Sequence, residues 1–324
     1  MKLNPKLKLN ANQPPLPTRN GYGDALLELG KTNKNVYVLC ADLTESTRAD
    51  KFAKAYPNQF VEIGIAEQNL VTVASGLAHA GKIPFASSYA AFCPGRCWEQ
   101  IRTTICYNNQ NVKIIGAHAG VSVGPDGATH QMLEDIAIMR ALPNMTVVVP
   151  LDYNQTSAAT KAIAKHIGPA YMRFARDPTP QLTTPKTPFQ IGKIQVLQDG
   201  SDLTIIGCGP ILFQAIQAAS ILKNQHNISV AILNCHTIKP LDTRTIEAYA
   251  KKTKRIITIE EAQIAGGLGS AIAEHLSSTI PTHIYRLGIK DHYGESGEPS
   301  ELLKKFKLTP QDIARECHKI FKTK

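Results

Sequence analysis

Short apolar runs alternate with longer segments of helical length along most of the chain. The runs predict strands at 35–40, 82–88, 112–118, 146–150 and 169–175, and then at 202–209, 228–234, 254–261 and 282–288. The longer segments predict helices near 23–31, 67–81, 95–107, 131–142 and 154–166, and then at 211–224, 242–251, 267–278 and 310–321. Nearly all-apolar strands that alternate with helices indicate a mostly parallel sheet covered on both faces. We therefore predict an α/β fold.

Two segments without this alternation divide the chain. Residues 1–18 are polar and rich in proline, and they predict an extended N-terminal arm. Residues 176–192 are rich in proline and threonine and lack periodicity, which is typical of a linker. The predicted organisation is two doubly wound domains, 19–178 and a smaller one at 193–324, joined by a linker at 179–192.

Composition limits the class of protein. The 324 residues are 43% hydrophobic, which is enough for about two domain cores. Seven scattered cysteines suit buried thiols in a reducing compartment better than a disulfide framework. Neither a signal peptide nor an apolar run of about 18 residues is present, so we expect a cytoplasmic protein with no membrane partner.

The formal charge of +10 raises the question of a nucleic-acid partner. The lysines gather at the two termini and at 250–255, with no interleaved aromatic residues, so they are expected to be solvated surface charges. We predict no nucleic-acid binding. A positive potential that attracts anionic substrates is the alternative.

A glutamate begins one of the predicted helices. Glu67 follows a short apolar strand in VEIGIAEQNLVTVASG (61–76). A glutamate at this position can simply complement the helix dipole. This helix, however, is apolar and rich in small residues, and it is predicted to be largely buried. A buried carboxylate needs a partner or has a raised pKa, which is typical of a catalytic acid or base.

Two further segments follow predicted strands. Tyr89 and Phe92 lie in SSYAAFCPGRCWEQIR (87–102), at the strand end where open α/β sheets bind ligands. They are either core aromatic residues or a stacking surface for a flat heterocycle. The loop GAHAGVSVGPDGATHQ (116–131) combines four glycines with two histidines and an aspartate, which predicts a polar site.

These segments together resemble the transketolase family from about Arg19 to Phe321. GIAEQN is similar to the glutamate motif of that family, and SSYAAF is similar to its aromatic pyrimidine-binding stretch. GVSVGPDGATHQ resembles its most specific loop, and TIKPLD (237–242) resembles its C-terminal-domain signature. The resemblance implies a thiamine-diphosphate pyrimidine-binding domain followed by a transketolase C-terminal-like domain.

The resemblance implies thiamine diphosphate as the cofactor. Glu67 would be the catalytic residue, because its hydrogen bond to the aminopyrimidine ring favours the imino form that removes the thiazolium proton. Phe92 would pack on the pyrimidine with Tyr89 beside it. Asp42, in CADLTEST, aligns with a family aspartate that lies near the cofactor across the subunit contact.

The resemblance also implies sugar-phosphate substrates. The family reads the phosphate with two arginines, a serine and a histidine, and arginine suits this role because its planar group donates hydrogen bonds in pairs. The matching positions are Arg19, Ser46, His118 and Arg176. Asp126 would bind the sugar hydroxyls, and His130 would also face the substrate.

One family motif is missing. The diphosphate-binding half of the family carries a G-D-G motif and a later asparagine that hold Mg²⁺, whereas QDG at 198–200 lacks the first glycine. We therefore predict no metal ligand here and expect the Mg²⁺ ligands on an N-terminal-type partner subunit with the diphosphate-binding domain. The resemblance then implies a split transketolase, self-association into a dimer, and a heterotetramer of two small and two large subunits. CPGRCW, beside the aromatic residues, has an extra residue relative to some full-length relatives.

The predicted reaction is transfer of a two-carbon ketol unit between a ketose phosphate and an aldose phosphate. The nearest alternative is a beta-type subunit of another thiamine-diphosphate enzyme, either a 2-oxo-acid dehydrogenase or a deoxyxylulose-phosphate synthase. The loop at 116–131 and the phosphate-reading residues favour transketolase. A non-catalytic subunit that kept the fold is the other alternative.

Overall fold

The computed structural model describes residues 3–322 as two large β-sheets with packed helices and a two-stranded ribbon. The strands are β1 (Gln13–Pro17), β2 (Val36–Cys40), β3 (Phe60–Glu62), β4 (Ile83–Tyr89), β5 (Lys113–Ala117), β6 (Thr146–Val148), β7 (Ala170–Phe174), β8 (Pro178–Gln181), β9 (Gln195–Gln198), β10 (Leu203–Gly207), β11 (Val230–Asn234), β12 (Thr237–Lys239), β13 (Ile256–Gln263) and β14 (Ile284–Ile289). The helices are α1 (Thr18–Thr32), α2 (Asp50–Ala55), α3 (Glu67–His79), α4 (Trp98–Gln100), α5 (Asp135–Arg140), α6 (Tyr153–Lys165), α7 (Leu212–His226), α8 (Thr243–Thr253), α9 (Leu268–Thr279), α10 (Pro299–Lys305) and α11 (Pro310–Lys322). The predicted α/β class is confirmed.

The larger sheet has seven strands in the order β12-β6-β7-β5-β4-β2-β3, and all pairs are parallel except β12 with β6. Successive side chains of a strand point to opposite faces. Val38 and Ile115 therefore enter one core, while Leu39 and Ile114 enter the other. All residues of β5 and β7 are buried, as expected of central strands that are covered on both faces.

The second sheet has five strands in the order β14-β13-β10-β11-β9, and only the edge strand β9 is antiparallel to its neighbour. Leu203 and Ile205 of β10 share a core with Leu212 of α7 and Ile313 of α11. This sheet matches the second α/β unit that the sequence predicted.

The arm and the predicted linker are bound to each other. Strand β1 of the arm pairs antiparallel with β8, so that Gln13 lies opposite Gln181. The prediction of a linker thus missed a strand within 176–192. The strand was missed because it contains Pro178 and Pro180. Proline donates no hydrogen bond to a neighbouring strand and is tolerated only at sheet edges and strand ends.

Several elements differ from the sequence predictions. Strands β9 and β12 and helices α2 and α10 were not predicted. The helix expected at 95–107 begins at Trp98 and becomes π-helical over Ile101–Cys106. The helix expected at 131–142 is shorter, because the preceding loop runs on to Glu134. These elements are short or have mixed polarity, so periodicity gives them a weak signal.

The two halves of the chain share a sheet. Thr237–Lys239 follows the second sheet's strand β11 along the chain, yet it pairs with β6 of the first sheet. The backbone N–H of Val149 also donates to the carbonyl oxygen of His236 at 2.8 Å. The second half therefore completes the edge of the first sheet.

A buried ion pair lies between the halves. The Arg173 guanidinium donates to the Asp135 carboxylate at 2.8 Å and to the Glu261 carbonyl oxygen at 3.1 Å. The Tyr171 hydroxyl donates to the other Asp135 oxygen at 2.6 Å. Both charged side chains are almost fully buried, so removing either partner would leave an uncompensated charge inside the protein.

A buried carboxylate holds the predicted linker in place. Asp152 caps α6 by accepting from the Gln155 N–H, and it also accepts from the backbone N–H groups of Leu182 and Thr183. The Thr183 hydroxyl donates to it as well. Asp152 is fully buried, so these bonds replace all of its solvation.

We expect Asp152→Ala to lower the free energy of unfolding by about 3 kcal/mol, because it removes a helix cap and leaves two buried N–H groups unpaired. Urea unfolding of the full chain measures this loss. Asp50→Ala, at the first residue of α2, is the matched control and should change stability by less than about 0.5 kcal/mol. Equal losses in the two variants would contradict the assignment.

Candidate functional site

Three predicted segments meet at one edge of the larger sheet. β2, β4 and β5 are adjacent and parallel, and the register places Cys40 beside Ser87 and Tyr89 beside Ala117. The loops that follow these strands therefore emerge together. This edge is the carboxyl end of the strands, where open α/β sheets bind ligands.

Four rings from two of these loops form a cluster. The Tyr89 and Phe92 rings are stacked, with centroids 6.0 Å apart and an interplanar angle of 18°. The His118 ring lies 4.3 Å from Tyr89, and the His130 ring lies 5.3 Å from Phe92. The structure thus brings together four residues that the sequence singled out separately. Tyr89 and Phe92 are only half-buried, although Tyr89 also packs against one of the hydrophobic cores.

Glu67 is the first residue of α3, and its side chain is 2% exposed. Its carboxylate accepts a hydrogen bond from Arg96 at 2.9 Å. The guanidinium carbon of Arg96 lies 4.7 Å from the centroid of Phe92. Of the two alternatives for a buried carboxylate, the structure therefore provides a partner, which also links Glu67 to the ring cluster.

The prediction that α3 is largely buried is wrong. Leu70, Val71 and Ala74 face the core, whereas Gln68 and Asn69 are exposed. One face of the helix packs on the sheet and the other has no neighbour within residues 3–322 to cover it. Sequence composition alone could not distinguish a helix buried by its own chain from one with an open face.

Cationic side chains surround His118. Arg19 donates to the backbone carbonyl oxygen of Ser46 at 3.2 Å, and its own Nε is buried without a hydrogen-bond partner among the described residues. Burial lowers the pKa of Arg19, and the nearby charges of Arg48 and Arg176 lower it further. The close spacing of these cations leaves a strong preference for an anion at this position.

His118 is a neutral group within this cluster. Burial, and then the charges of Arg19 and Arg176, lower the pKa of His118 to about 3, although the Ser46 backbone opposes this shift. Within the described part of the chain, neither ring nitrogen has a hydrogen bond of good geometry, and the side chain is almost fully buried. An unsatisfied buried imidazole beside arginines is well suited to donate to a bound ligand.

Two other predicted site residues, Asp126 and Asp42, are not part of the ring cluster. Asp126 accepts a hydrogen bond from Arg176 at 3.1 Å. The residue predicted to bind sugar hydroxyls is thus paired with a residue predicted to bind phosphate. Asp42 is exposed at a positive φ of 56°, and its N–H donates to the Glu62 carboxylate at 2.8 Å. Within residues 3–322, no hydrogen bond or ring contact joins Asp42 to the cluster.

The second half of the chain supports the loop at 116–131. The Gln131 amide donates to carbonyl oxygens of Val121 and Gly124 in the loop and of Glu295 in the second half. The Glu261 carboxylate accepts from the Ser122 N–H at 3.1 Å. These contacts hold the glycine-rich backbone. No local pattern in the sequence marks them, because the partners are far apart along the chain.

Sequence reasoning also missed Arg48 and Arg96. Arg48 lies two residues after Ser46, and its Nε donates to the Asn20 side chain at 3.0 Å. Arg96 lies in CPGRCW, where no position was assigned a role. The only available signal was that each arginine is close in sequence to a residue already selected.

Residues 3–322 contain neither a membrane span nor a metal cluster. No helix there is long and apolar enough to cross a membrane. No group of three or more His, Cys, Asp or Glu side chains is arranged around a common point, and all seven cysteines are free and buried.

Comparison with known proteins gives consistent matches over most of the chain. Family models match residues 15–181 (transketolase, pyrimidine binding domain) and residues 192–313 (transketolase, C-terminal domain). A putative transketolase C-terminal section from Methanocaldococcus jannaschii is 46% identical over 92% of this chain and 94% of its own length. A 6-deoxy-6-sulfo-D-fructose transketolase subunit from Clostridium sp. (strain MSTE9) is 38% identical over 94% of this chain and 95% of its own length. A solved structure described as a split gene transketolase, inactive beta4 tetramer, is 42% identical with a TM-score of 0.87, over 95% of this chain and 98% of that one.

The pKa of His118 predicts an acid sensitivity. An unfolded histidine has a pKa of about 6.5, so below that value the unfolded chain binds a proton that the folded chain does not bind until about pH 3. The stability from neutral His118 is present above pH about 6.5 and is lost as the pH falls toward 3. Between about pH 7.5 and 5 this residue should remove about 2 kcal/mol from the free energy of unfolding.

Lowering the pH over that interval should reduce the free energy of unfolding of both chains. We expect the reduction in His118→Leu to be about 2 kcal/mol smaller than in the parent chain. Urea unfolding at both pH values measures the difference. His283→Leu, at an exposed histidine in the second half, should retain the pH dependence of the parent chain. The same pH dependence in the His118 variant would show that this imidazole is not held neutral.

Proposed function

This chain belongs to the transketolase family, in which it provides a pyrimidine-binding domain and a C-terminal domain, and from that premise we propose that it is the cofactor-activating subunit of a split transketolase. The proposed reaction transfers a two-carbon ketol unit from a ketose phosphate to an aldose phosphate. One observation carries this proposal: the buried carboxylate of Glu67 is joined through Arg96 to half-buried aromatic rings, and these rings adjoin His118 and its arginines.

The residues around Glu67 fit the aminopyrimidine half of thiamine diphosphate. Glu67 offers a buried acceptor, and the half-buried rings of Phe92 and Tyr89 offer apolar surface for a flat ring. Bound thiamine diphosphate supplies a carbon nucleophile that adds to a ketose carbonyl and then stores electrons. Glu67 is proposed to share a proton with the pyrimidine ring nitrogen, so that its carboxylate accepts the ring N–H of the imino form, and the two rings are proposed to exclude water from this contact.

The cationic cluster fits the anionic end of a sugar substrate. Arg19 and Arg176 would supply charge, while neutral His118 and the Ser46 hydroxyl would supply uncharged hydrogen bonds. Asp126 would release Arg176 to the anion and turn to the sugar hydroxyls, with His130 on the same side. The proposal draws support from the unsatisfied nitrogens of His118 and Arg19, which need a partner.

A sulfonated sugar is the second candidate substrate. One relative is described as acting on 6-deoxy-6-sulfo-D-fructose. A sulfonate, like a phosphate, presents several oxygen acceptors, but it carries one negative charge at most. The surplus of arginines around His118 favours the doubly charged phosphate.

The proposed partner is an N-terminal-type subunit that carries the diphosphate-binding domain. It would hold the diphosphate and Mg²⁺ with the G-D-G and asparagine motif that this chain lacks. In QDG at 198–200, Asp199 instead pairs with Lys252 at 2.6 Å, far along the chain from the ring cluster. Asp42 and the open face of α3 would then contact neighbouring subunits.

The assembly we propose has two small and two large subunits around a dimer of this chain. Relatives described as a C-terminal section and as a transketolase subunit support a split arrangement. A related chain is described as an inactive tetramer of four beta subunits. We propose by analogy that this chain also self-associates without activity until its partner replaces some of those contacts.

One experiment tests the proposal against its alternatives. The chain is co-expressed with a subunit of the same organism that carries the diphosphate motif, and the complex receives thiamine diphosphate and Mg²⁺. Two-carbon transfer from a ketose phosphate to an aldose phosphate is the expected result. Turnover of pyruvate without ketol transfer would instead support a deoxyxylulose-phosphate synthase or 2-oxo-acid dehydrogenase subunit.

We expect Glu67→Gln to reduce the kcat of that complex at least about a hundredfold, because a neutral amide cannot share a proton with the ring nitrogen as a carboxyl group can. The circular dichroism spectrum and the assembly with the partner should be unchanged, since the amide occupies the same volume. Full activity of this variant would support the non-catalytic alternative.

We expect Arg19→Met to raise the KM for a ketose phosphate about 10- to 100-fold, because it removes a guanidinium contact with the phosphate. The catalytic efficiency toward the same sugar without its phosphate should change much less. Steady-state kinetics with both donors measure the split. Arg244→Met, at an exposed arginine of α8, is the control and should behave as the parent enzyme.

A further inference from the structure

Arg96 makes two contacts that the proposed function assigns to the cofactor. Its Nη1 donates to Glu67 Oε2 at 2.9 Å, as the protonated ring nitrogen of the imino form of an aminopyrimidine would donate to this carboxylate. Its planar guanidinium lies over Phe92, with 4.7 Å from its central carbon to the ring centroid. A guanidinium and an aminopyrimidine are both flat nitrogen-rich groups that stack on aromatic faces.

A tight backbone turn places Arg96 at this position. The N–H of Arg96 donates to the carbonyl oxygen of Phe92 at 3.0 Å, and the N–H of Gly95 donates to that of Ala90 at 3.1 Å. A Cβ at Gly95 would lie 2.2 Å from the carbonyl oxygen of Ala91, so only glycine permits this turn. The CPGRCW segment, with its extra residue, therefore folds back and carries Arg96 over the ring.

Burial separates the two partners of the ion pair. The Glu67 side chain is 2% exposed and the Arg96 side chain is 52% exposed. The carboxylate is therefore almost enclosed by protein, whereas the arginine that pairs with it is half in water. A ligand that replaces the hydrogen bond at Glu67 Oε2 competes with Arg96 for this oxygen.

The energetics allow this exchange. A buried carboxylate without a partner is costly, so the free chain gains stability from the arginine. A half-exposed guanidinium can move into water with little loss, because partly exposed ion pairs contribute little net free energy. Arg96 can therefore leave once another donor satisfies Glu67.

We propose that Arg96 is a positioning residue. In the free chain it occupies the position where the aminopyrimidine would bind, and it is displaced when the cofactor enters. The inference rests on the proposed function, since it takes thiamine diphosphate as the incoming ligand. Arg96 thereby keeps Glu67 oriented and paired before assembly, and it competes with the cofactor afterwards.

The first test uses the full chain without partner or cofactor. Arg96→Leu should lower the unfolding midpoint by about 2–4 °C, and Glu67→Gln should largely remove this effect of the Arg96 substitution. Arg244→Leu should leave the midpoint unchanged. If Arg96→Leu has the same effect in the parent chain and in the Glu67→Gln variant, the ion pair on which the proposal depends is overturned.

The second test measures thiamine diphosphate binding to the complex with the partner subunit in the presence of Mg²⁺. Calorimetry gives the Kd, and stopped-flow fluorescence gives the association rate. Arg96→Leu should lower the Kd and raise the association rate about tenfold each, because no resident donor has to leave. Arg96→Lys should lie between this variant and the parent, because lysine keeps the charge without the planar face. Arg244→Leu should bind as the parent does.

The outcomes separate this proposal from the proposed function. Binding by the parent and by Arg96→Leu with equal or weaker affinity in the variant would overturn the displacement of Arg96 alone. Failure of the parent complex and every variant to bind thiamine diphosphate would overturn the proposed function and this inference with it. Tighter binding confined to Arg96→Leu and Arg96→Lys supports both.

Discussion

The buried guanidinium of Arg173 is the interaction on which the arrangement of the site depends. It joins Asp135 of the first domain to the backbone of Glu261 in the second, while the Glu261 carboxylate holds the N–H of Ser122 in the glycine-rich loop. One charge thus connects both domains to the loop that carries His118 and Asp126, beside the strand pairing of β12 with β6. Because the pair is almost fully buried, its partners cannot separate without leaving an unsolvated charge.

Electrostatics at the site follow from the same constraint on buried charge. Three arginines surround His118, and burial together with their field keeps its imidazole neutral. A fourth positive charge would add repulsion, whereas a neutral ring adds a hydrogen bond. The Glu67 carboxylate, close to the rings, has an arginine of its own. The free chain therefore holds a group of cations around a neutral histidine and separately satisfies the carboxylate of Glu67, which is the arrangement that the proposed function requires.

The sequence was sufficient for features with a local physical signal. β5 and β7 were predicted because central parallel strands are apolar on both faces, and the loops after them because strand ends carry polar and glycine residues. The ring cluster needed one further fact, the order of the strands. The strand that ends at Tyr89 and the strand that ends just before His118 are adjacent and parallel.

Features that depend on long-range contacts could not be predicted. β8 and β12 are short edge strands, and their pairing is visible only once their partners are placed. The pairing of Arg96 with Glu67 depends on a tight turn at Gly95, and the open face of α3 depends on what the rest of the chain leaves uncovered. Neither is encoded in periodicity.

The strand at Thr237–Lys239 has a consequence for how the chain can be divided. A cut at the linker would remove β12 from β6, which would keep only β7 as a neighbour. The exposed strand edge would be a template for aggregation. The two domains are distinct in sequence pattern, but the first sheet is complete only when both are present.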